Sequence, residues 1–449
     1  MTYLINMAFL HQDSCLCATS QLDLFSTPMT QTSVESGAWA EFNPISAITD
    51  SMPIEFDISG TGTSYIDLAH TQIIVRAQLV RANLNPIDNT AHVAPCNLFL
   101  HSLFSEVDVK LNGTLISSSN NTYPYRAYLE TLLSYGRDAK QSQLTSALYY
   151  KDVGGATGFE EGDAHAQTAT NNGMKKRHSF FETGGIVQMQ GPIHLDLMFQ
   201  DRYLPSDVGM QLRFVRSKDA FCLMSDAQNP AFRVKIHECK LLIRKAHISP
   251  ATYIAQAKAF EVGTAKYPIR RVVCKSYTVG NGMRDNIHEG LFTGQIPSRI
   301  VLGMVDNAAF NGAYDRNPFH FKHFDLSSIK VYIDGQTHSN LKAIECDFAN
   351  HQSLAGYISL FTGSGKYRRD EGLDFDRQEY ENGFTLFAYD LSPDLSEESY
   401  FNLAKEGSIR VELKFAQALP NTINVIAFAE FESIIEINRE KQVLIDFAN

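Results

Sequence analysis

The sequence predicts an all-β fold laid down as two tandem copies of one antiparallel unit, and three observations predict it. Short runs alternate apolar and polar residues with period two and end on turn dipeptides. Two such runs recur at a nearly fixed spacing along the chain. The composition holds 29 Phe and 19 Tyr against 1 Trp, a balance that suits pleated surfaces, where rings pack well.

The duplication is read most directly from the runs themselves. Residues 107–113 are Val-Asp-Val-Lys-Leu-Asn-Gly and residues 329–335 are Ile-Lys-Val-Tyr-Ile-Asp-Gly. Asn112-Gly113 and Asp334-Gly335 are the pairs favoured in two-residue hairpins, because both central residues take positive φ. The glycines lie 222 positions apart (335 − 113). Further on, the alternation Met210–Phe214 matches Ile409–Phe415 at an offset of 199 (411 − 212). The first copy therefore carries about 23 more residues between its paired segments (222 − 199), and the Gly-rich tract Gly154–Gly185 reads as an exposed loop that holds them.

Each copy reads as strands from its start. Tyr65–Leu68 and Ile73–Val80 open the first, and Arg299–Val305 the second; Phe232–Ile243 and Ile423–Ile437 close them. The spacing predicts a helix over Tyr125–Tyr135, with Tyr128, Leu129, Leu132 and Leu133 on one face, and a shorter one over His351–Phe361 at the matching place. Tyr123-Pro124-Tyr125 is the helix-start block, since proline disfavours helix at the residue before it and suits the first turn. Short antiparallel strands, long connections and a short helix per copy fit a double jelly roll, two tandem eight-stranded barrels. With 449 residues, the division is an N-terminal arm at 1–44, a first barrel at 45–250, a linker at 251–268 and a second barrel at 269–449. The linker is not Gly/Ser-rich, and Ala255–Ala259 can form a helical turn, so the barrels are expected to sit rigidly side by side.

Several blocks resemble the major capsid proteins of Polinton/Maverick elements and adintoviruses. They are Phe9–Cys15, Gln21–Phe25, Thr30–Ser33, Pro53–Gly60, Tyr65–Leu68, Leu111–Gly113 with Ser119–Leu133, Pro297–Val305 and Asn317–His323. The resemblance runs from about residue 9 to the C-terminus, and its most distinctive stretch is Ser119–Leu133. It implies a structural shell protein: three chains with six barrels form a pseudo-hexagonal tile, tiles contact neighbouring tiles, and a separate penton or minor capsid protein fills the vertices. It implies a place in the virion, after assembly inside the host cell. The alternative for such a fold is a carbohydrate-binding module without catalytic activity.

Charge and motif content exclude other classes. The net charge is −11 and no Lys or Arg precedes Arg76, so no basic arm announces genome binding. Residues 1–44 lack a dense apolar pattern and are expected to reach under a neighbouring subunit. Seven scattered cysteines, an odd number, suit reduced thiols. No stretch approaches ~18 consecutive apolar residues, as a spanning helix requires, and Met1–Leu10 makes a poor signal peptide. The Asn112 and Asn120 sequons are therefore read as turn residues. Gly363-Ser-Gly-Lys366 fails as a phosphate loop, because Leu360 and Tyr367 stand where the motif needs Gly and Ser or Thr. His320, His323, His338 and His351 lack ligand spacing, and 319–324 reads better as a strand with rings on one face. Cys15-Leu-Cys17 has no partner pair. Lys175-Lys-Arg-His178 reads as a solvated loop tip, and Arg368–Glu381 as a solvated stretch. With no nucleophile elbow and no Cys/His pair in context, no enzyme, cofactor or metal is expected.

Overall fold

The computed structural model describes residues 13–14, 17–60, 64–117, 120–162, 169–336, 341–395 and 400–446. Phe9–Gln12, Cys15 and His338, each a candidate from the sequence, lie outside the described residues. The first unit has strands β1 (Val34–Phe42), β2 (Ile54–Ile58), β3 (Ser64–Arg81), β4 (Phe104–Leu111), β5 (Thr114–Ser117), β6 (Val187–Pro192), β7 (Met210–Arg216) and β8 (Phe232–Ile248). The second has β9 (Ala265–Val279), β10 (Asp285–Gln295), β11 (Arg299–Asp306), β12 (Leu326–Ile333), β13 (Ile344–Glu345), β14 (Leu386–Asp390), β15 (Glu406–Phe415) and β16 (Ile423–Ile437). Alternation makes them two-faced. In β2, Ile54, Phe56 and Ile58 are buried while Glu55 and Asp57 face water.

The first unit pairs its strands as β1-β8-β3-β6 and β2-β7-β4-β5, and the second as β9-β16-β11-β14 and β10-β15-β12-β13. Adding eight to each label turns the first unit into the second. Both are jelly rolls, two facing four-stranded antiparallel sheets, so the fold is an all-β double jelly roll. Register carries the duplication down to single residues. Val109 stands opposite Leu212 and Val331 opposite Val411, and these pairs are related by the offsets 222 and 199. Residues 443–445 add a short strand beside β16.

Four helices shape the seam and the junction between the units: α1 (Tyr123–Ser134), α2 (Asn172–Ser179), α3 (Pro250–Val262) and α4 (Leu354–Gly363). α1 and α4 hold matching places after β5 and β13. α1 is buried on nearly every side, including Arg126 and Thr131, which an amphipathic pattern does not foretell.

Several expectations are corrected. Val34–Phe42, inside the expected arm, is an edge strand that hydrogen-bonds to β8; its exposed faces hide it from an apolar pattern. The linker is a helix of thirteen residues, Pro250–Val262, capped by the Ser249 side chain with Pro250 in its first turn, and β9 begins at Ala265, inside the expected linker. Among its described residues, the tract Gly154–Gly185 is not an open loop. α2 buries Met174, Arg177 and His178, and Phe159 and Phe181 join the core. Arg177 therefore leaves the expected loop tip for the interior. Likewise Leu373, Phe375 and Tyr380 are buried within the stretch read as solvated, and 317–324 is a loop with one bridge, Phe321 to Phe384, not a strand.

Candidate functional site

The residues singled out as structural turns sit at equivalent points of the two units. Asn112 and Gly113 take φ of 45° and 83°, and Asp334 and Gly335 take 51° and 74°. Leu111 pairs with Thr114 across the first turn. Ile333 and Gln336 exchange both backbone hydrogen bonds across the second, at 3.0 and 2.9 Å. Each turn is also tied to the start of the strand beside it. Asn112 N donates to Gly209 O, and Asp334 N to Ser408 O. In return, Gly209 N donates to Asn112 Oδ1 and Ser408 N to Asp334 Oδ1, both at 2.8 Å. The Asx side chain thus doubles the strand ladder, a use of Asn and Asp beyond tolerance of positive φ.

The helix-start block lies at the seam between the barrels. Tyr125 stacks on Phe310 with centroids 5.6 Å apart and meets Phe319 edge-on at 5.8 Å, while Tyr128 stacks on Phe319 at 4.4 Å. These phenylalanines belong to the second unit, in the connection from β11 to β12. Thr122 Oγ1 donates to Cys274 O on β9 at 3.0 Å. Burial pushes the Cys274 thiol up to about 12, which keeps it protonated and inert.

A buried polar cluster fixes this seam. Arg126 donates to Glu130 at 2.9 Å and to Asp196 at 2.6 Å, and Asp196 also accepts from Val272 N on β9 at 2.9 Å. Burial works against both carboxylates. It prevails at Asp196, whose carboxyl is raised. It yields at Glu130, which Arg126 and the His194 hydrogen bond hold below its ordinary value. His194 Nδ1 stands 2.7 Å from Glu130, and its ring meets that of His101 edge-on at 4.6 Å. His101 Nδ1 lies 3.0 Å from the Tyr123 hydroxyl.

Burial, and then the neighbouring His194, hold His101 well below the usual imidazole value. The folded state therefore keeps His101 neutral while the unfolded chain takes up a proton below about pH 6.5. Its contribution to stability is present above that pH and is lost as pH falls. Glu130 adds acid sensitivity only lower, in the carboxylate range. His101→Gln is expected to flatten the loss of stability between about pH 6.5 and 5, read from urea melts across pH; an unchanged slope would rule this out.

The insertion of the first unit locks onto loops of the second. Arg177 donates to Asp152 at 2.6 Å, to Pro95 O at 2.8 Å and to Tyr150 O at 2.6 Å, and neither charged side chain is exposed. Asp152 is also reached by Asn317 Nδ2 at 3.3 Å. Glu160 accepts from Asn317 N, from His320 and from Lys322. Burial opposes its charge, but His320 and Lys322 hold its carboxyl down to about 2. Lys140 donates to Leu132 O and to Leu373 O, both at 2.9 Å, and burial lowers its ammonium to about 7. Lys366, from the failed phosphate loop, donates to Ser134 O at the end of α1. None of these long-range polar contacts carries a local sequence signal.

A crevice of about 1230 Å³ opens between the insertion and residues 370–379, beside Lys140, Tyr149 and Asp374. Among the described residues no three His, Cys, Asp or Glu side chains are grouped to hold a metal ion. No helix among them is long and apolar enough to cross a membrane.

The first unit grips β9 through the connection between β6 and β7. Gln200 Nε2 donates to Pro268 O at 2.6 Å, Arg202 to Lys266 O, and Tyr267 to Tyr203 O at 2.9 Å. The offset of 199 maps 196–204 onto 395–403, in the connection between β14 and β15. Among the described residues of that stretch, Leu395, Tyr400 (58% exposed), Phe401 and Leu403 (86% exposed) face outward. β1, the counterpart of β9, also lies open, with Trp39 51% exposed.

No known family's sequence profile matches the chain. It is 25% identical over 434 residues to the Caenorhabditis elegans protein called "Uncharacterized protein F54H12.2", an alignment covering 93% of this chain and 99% of that one. Among solved structures it is similar to a chain of the Sputnik virophage, at TM-score 0.64 and 11% identity, covering 98% and 95% of the two chains. It is also similar to a chain of the PBCV-1 virus capsid, at 0.58 and 9%, covering 95% and 100%. The mavirus major capsid protein matches at 0.51 and 13%, covering 98% and 97%. At these identities the likeness is one of fold, the double jelly roll.

Proposed function

We propose that the chain is a major capsid protein of the Polinton/Maverick and adintovirus kind, a structural subunit that tiles an icosahedral shell and has no enzymatic role. The fold it has in common with viral capsid chains supports this reading. The observation that carries it is the pair of unused surfaces. Each copy sets 196–204 against β9, and leaves the described counterparts of that contact exposed: Leu395, Tyr400, Phe401 and Leu403 on one side and β1 on the other. One face of each sort makes the contact between copies heterologous, so subunits add head to tail and stop only when a ring closes. Three copies place six jelly rolls around one axis, a hexagonal tile.

In this reading the barrels built by β1–β8 and β9–β16 are the two units of the tile, joined by α3. Neighbouring tiles and a separate penton or minor capsid protein are the further partners. The place of action is the virion shell, assembled inside the host cell.

Light scattering on the purified chain tests it, with negative-stain images of the same fractions. A mass of roughly 150 kDa, three times the 50.2 kDa chain, or hexagonal tiles and closed shells, is the expected result. A 50.2 kDa monomer that never assembles would overturn the proposal.

A further inference from the structure

We propose that residues 20–29 of one copy lie across α3 of a neighbouring copy, so that assembled chains exchange N-terminal arms over the helix that joins the barrels. This exchange rests on the proposed assembly and is a second contact within it. α3 is a helix in the wrong surroundings. It reads Pro-Ala-Thr-Tyr-Ile-Ala-Gln-Ala-Lys-Ala-Phe-Glu-Val, with apolar residues on every side between Gln256, Lys258 and Glu261, and it buries no residue. A helix with apolar residues all round favours a covering partner. Here Ile254, Lys258 and Val262 form one outward face by their i, i+4 spacing, with Val262 91% exposed. Cavities of about 200 and 260 Å³ flank the helix at Phe260, the first beside Ala259 and Tyr267 and the second beside Tyr253 and Ala257.

The arm has the complementary defect. Residues 17–33 are exposed throughout, yet they carry Leu22, Leu24, Phe25 and Met29, the last two 95% and 101% exposed. Apolar area left in water costs about 25 cal/mol per Å², so both surfaces favour a cover. They also meet at one point of the fold. Ser249 N, at the cap of α3, donates to Ser33 O, where the arm leaves β1.

Charge agrees with the match. The arm and all of the chain before Arg76 hold no Lys or Arg. Around α3 stand Lys258, Lys266, Arg439 and Lys441, against Asp207, Glu261 and Glu436. Lys441 sits 3.9 Å over the Phe260 ring and 3.8 Å from Asp207.

The occupant is a second copy and not the chain's own arm. In a single chain both surfaces stay open although they begin one hydrogen bond apart. From Ser33 back to Leu22 the arm reaches ~40 Å when extended, twice the ~20 Å length of α3, enough to cross to a neighbour.

The test mixes two full-length variants in a background with Cys15 and Cys17 changed to Ser: tagged Phe25→Cys and untagged Ile254→Cys. Both positions are exposed, so neither change threatens the core. Assembly followed by mild oxidation is expected to give a disulfide-linked tagged–untagged dimer, visible on a non-reducing gel, and none when either variant is oxidised alone as unassembled chain. Wild-type trimers by light scattering without that dimer would overturn the arm exchange and leave the shell reading standing. A cross-link formed only within one chain, when both cysteines are placed in it, would overturn it too. A wild-type protein that stays monomeric would sink both together.

Discussion

Trp39→Asp and Leu403→Asp chains are each expected to stay monomeric on their own, and to pair with one another when mixed. Each substitution puts a charge in place of an exposed large apolar side chain on one of the two surfaces, where an unpaired charge is strongly disfavoured once the contact closes. In a ring of identical chains either change spoils every joint, since each joint uses one β1 and one 395–403 surface. In a mixture, the intact 395–403 surface of the Trp39→Asp chain meets the intact β1 of the Leu403→Asp chain. The product should stop at a dimer of about 100 kDa, twice the chain mass of 50.2 kDa, because both remaining faces carry a defect. An isologous interface predicts the opposite, with mixing restoring nothing. Both sites are exposed in the single chain, so the fold should tolerate them, and circular dichroism checks that. Trimers of either variant alone would eliminate this contact.

Arg126→Ala is expected to cost on the order of 3–5 kcal/mol of stability, read from denaturant midpoints at neutral pH. The guanidinium holds Glu130 and Asp196, and its loss strands two carboxylates inside the seam. Burial already raises the Asp196 carboxyl, and without Arg126 it rises further. A carboxyl raised in the folded state costs stability as pH climbs through its folded value. The penalty of the variant should therefore shrink on going from about pH 8 to about pH 5. Exchanging Arg126, Glu130 and Asp196 together for apolar residues of similar volume should recover most of the loss, because stranded charge and not missing attraction is the larger cost. If the single and triple variants lose the same amount, the cluster acts through packing instead.

What the sequence made legible is what repeats locally. Period-two runs and the offsets 222 and 199 mark Val109 with Val331 and Leu212 with Val411 as equivalent positions from the residues alone. That Val109 lies opposite Leu212 and Val331 opposite Val411 across a sheet is seen only in the fold. α1 and α4 follow the expected windows to within a few residues. What it hid is of two kinds. β1 exposes both faces of much of its length, so Val34–Phe42 shows no alternation in hydropathy and passes for an arm. The insertion hid its order because that order is polar and long-range: Arg177 finds Asp152, Asn317 finds Asp152 and Glu160, Lys140 finds Leu373 O. The glycines of that tract suggest a loop, whereas Asn171 caps α2 and Gly173 packs so closely on Lys151 O that a Cβ there would lie 2.1 Å from it. The exposed apolar residues Leu395, Tyr400, Phe401, Leu403 and Trp39 were illegible for a different reason. Apolar residues at an interface and in a core look alike in a sequence, and only exposure in the folded chain separates them.

The rigid seam has a mechanical consequence. Two barrels clamped by stacked rings, a buried Arg126 cluster and a continuous α3 form a stiff plate that resists bending about its own middle. Any closed surface made from such plates has to place its curvature in the joints between chains. In the proposed shell, elastic compliance then resides in the arms and edge strands, and stress from pressure or osmosis should open subunit boundaries before any barrel unfolds.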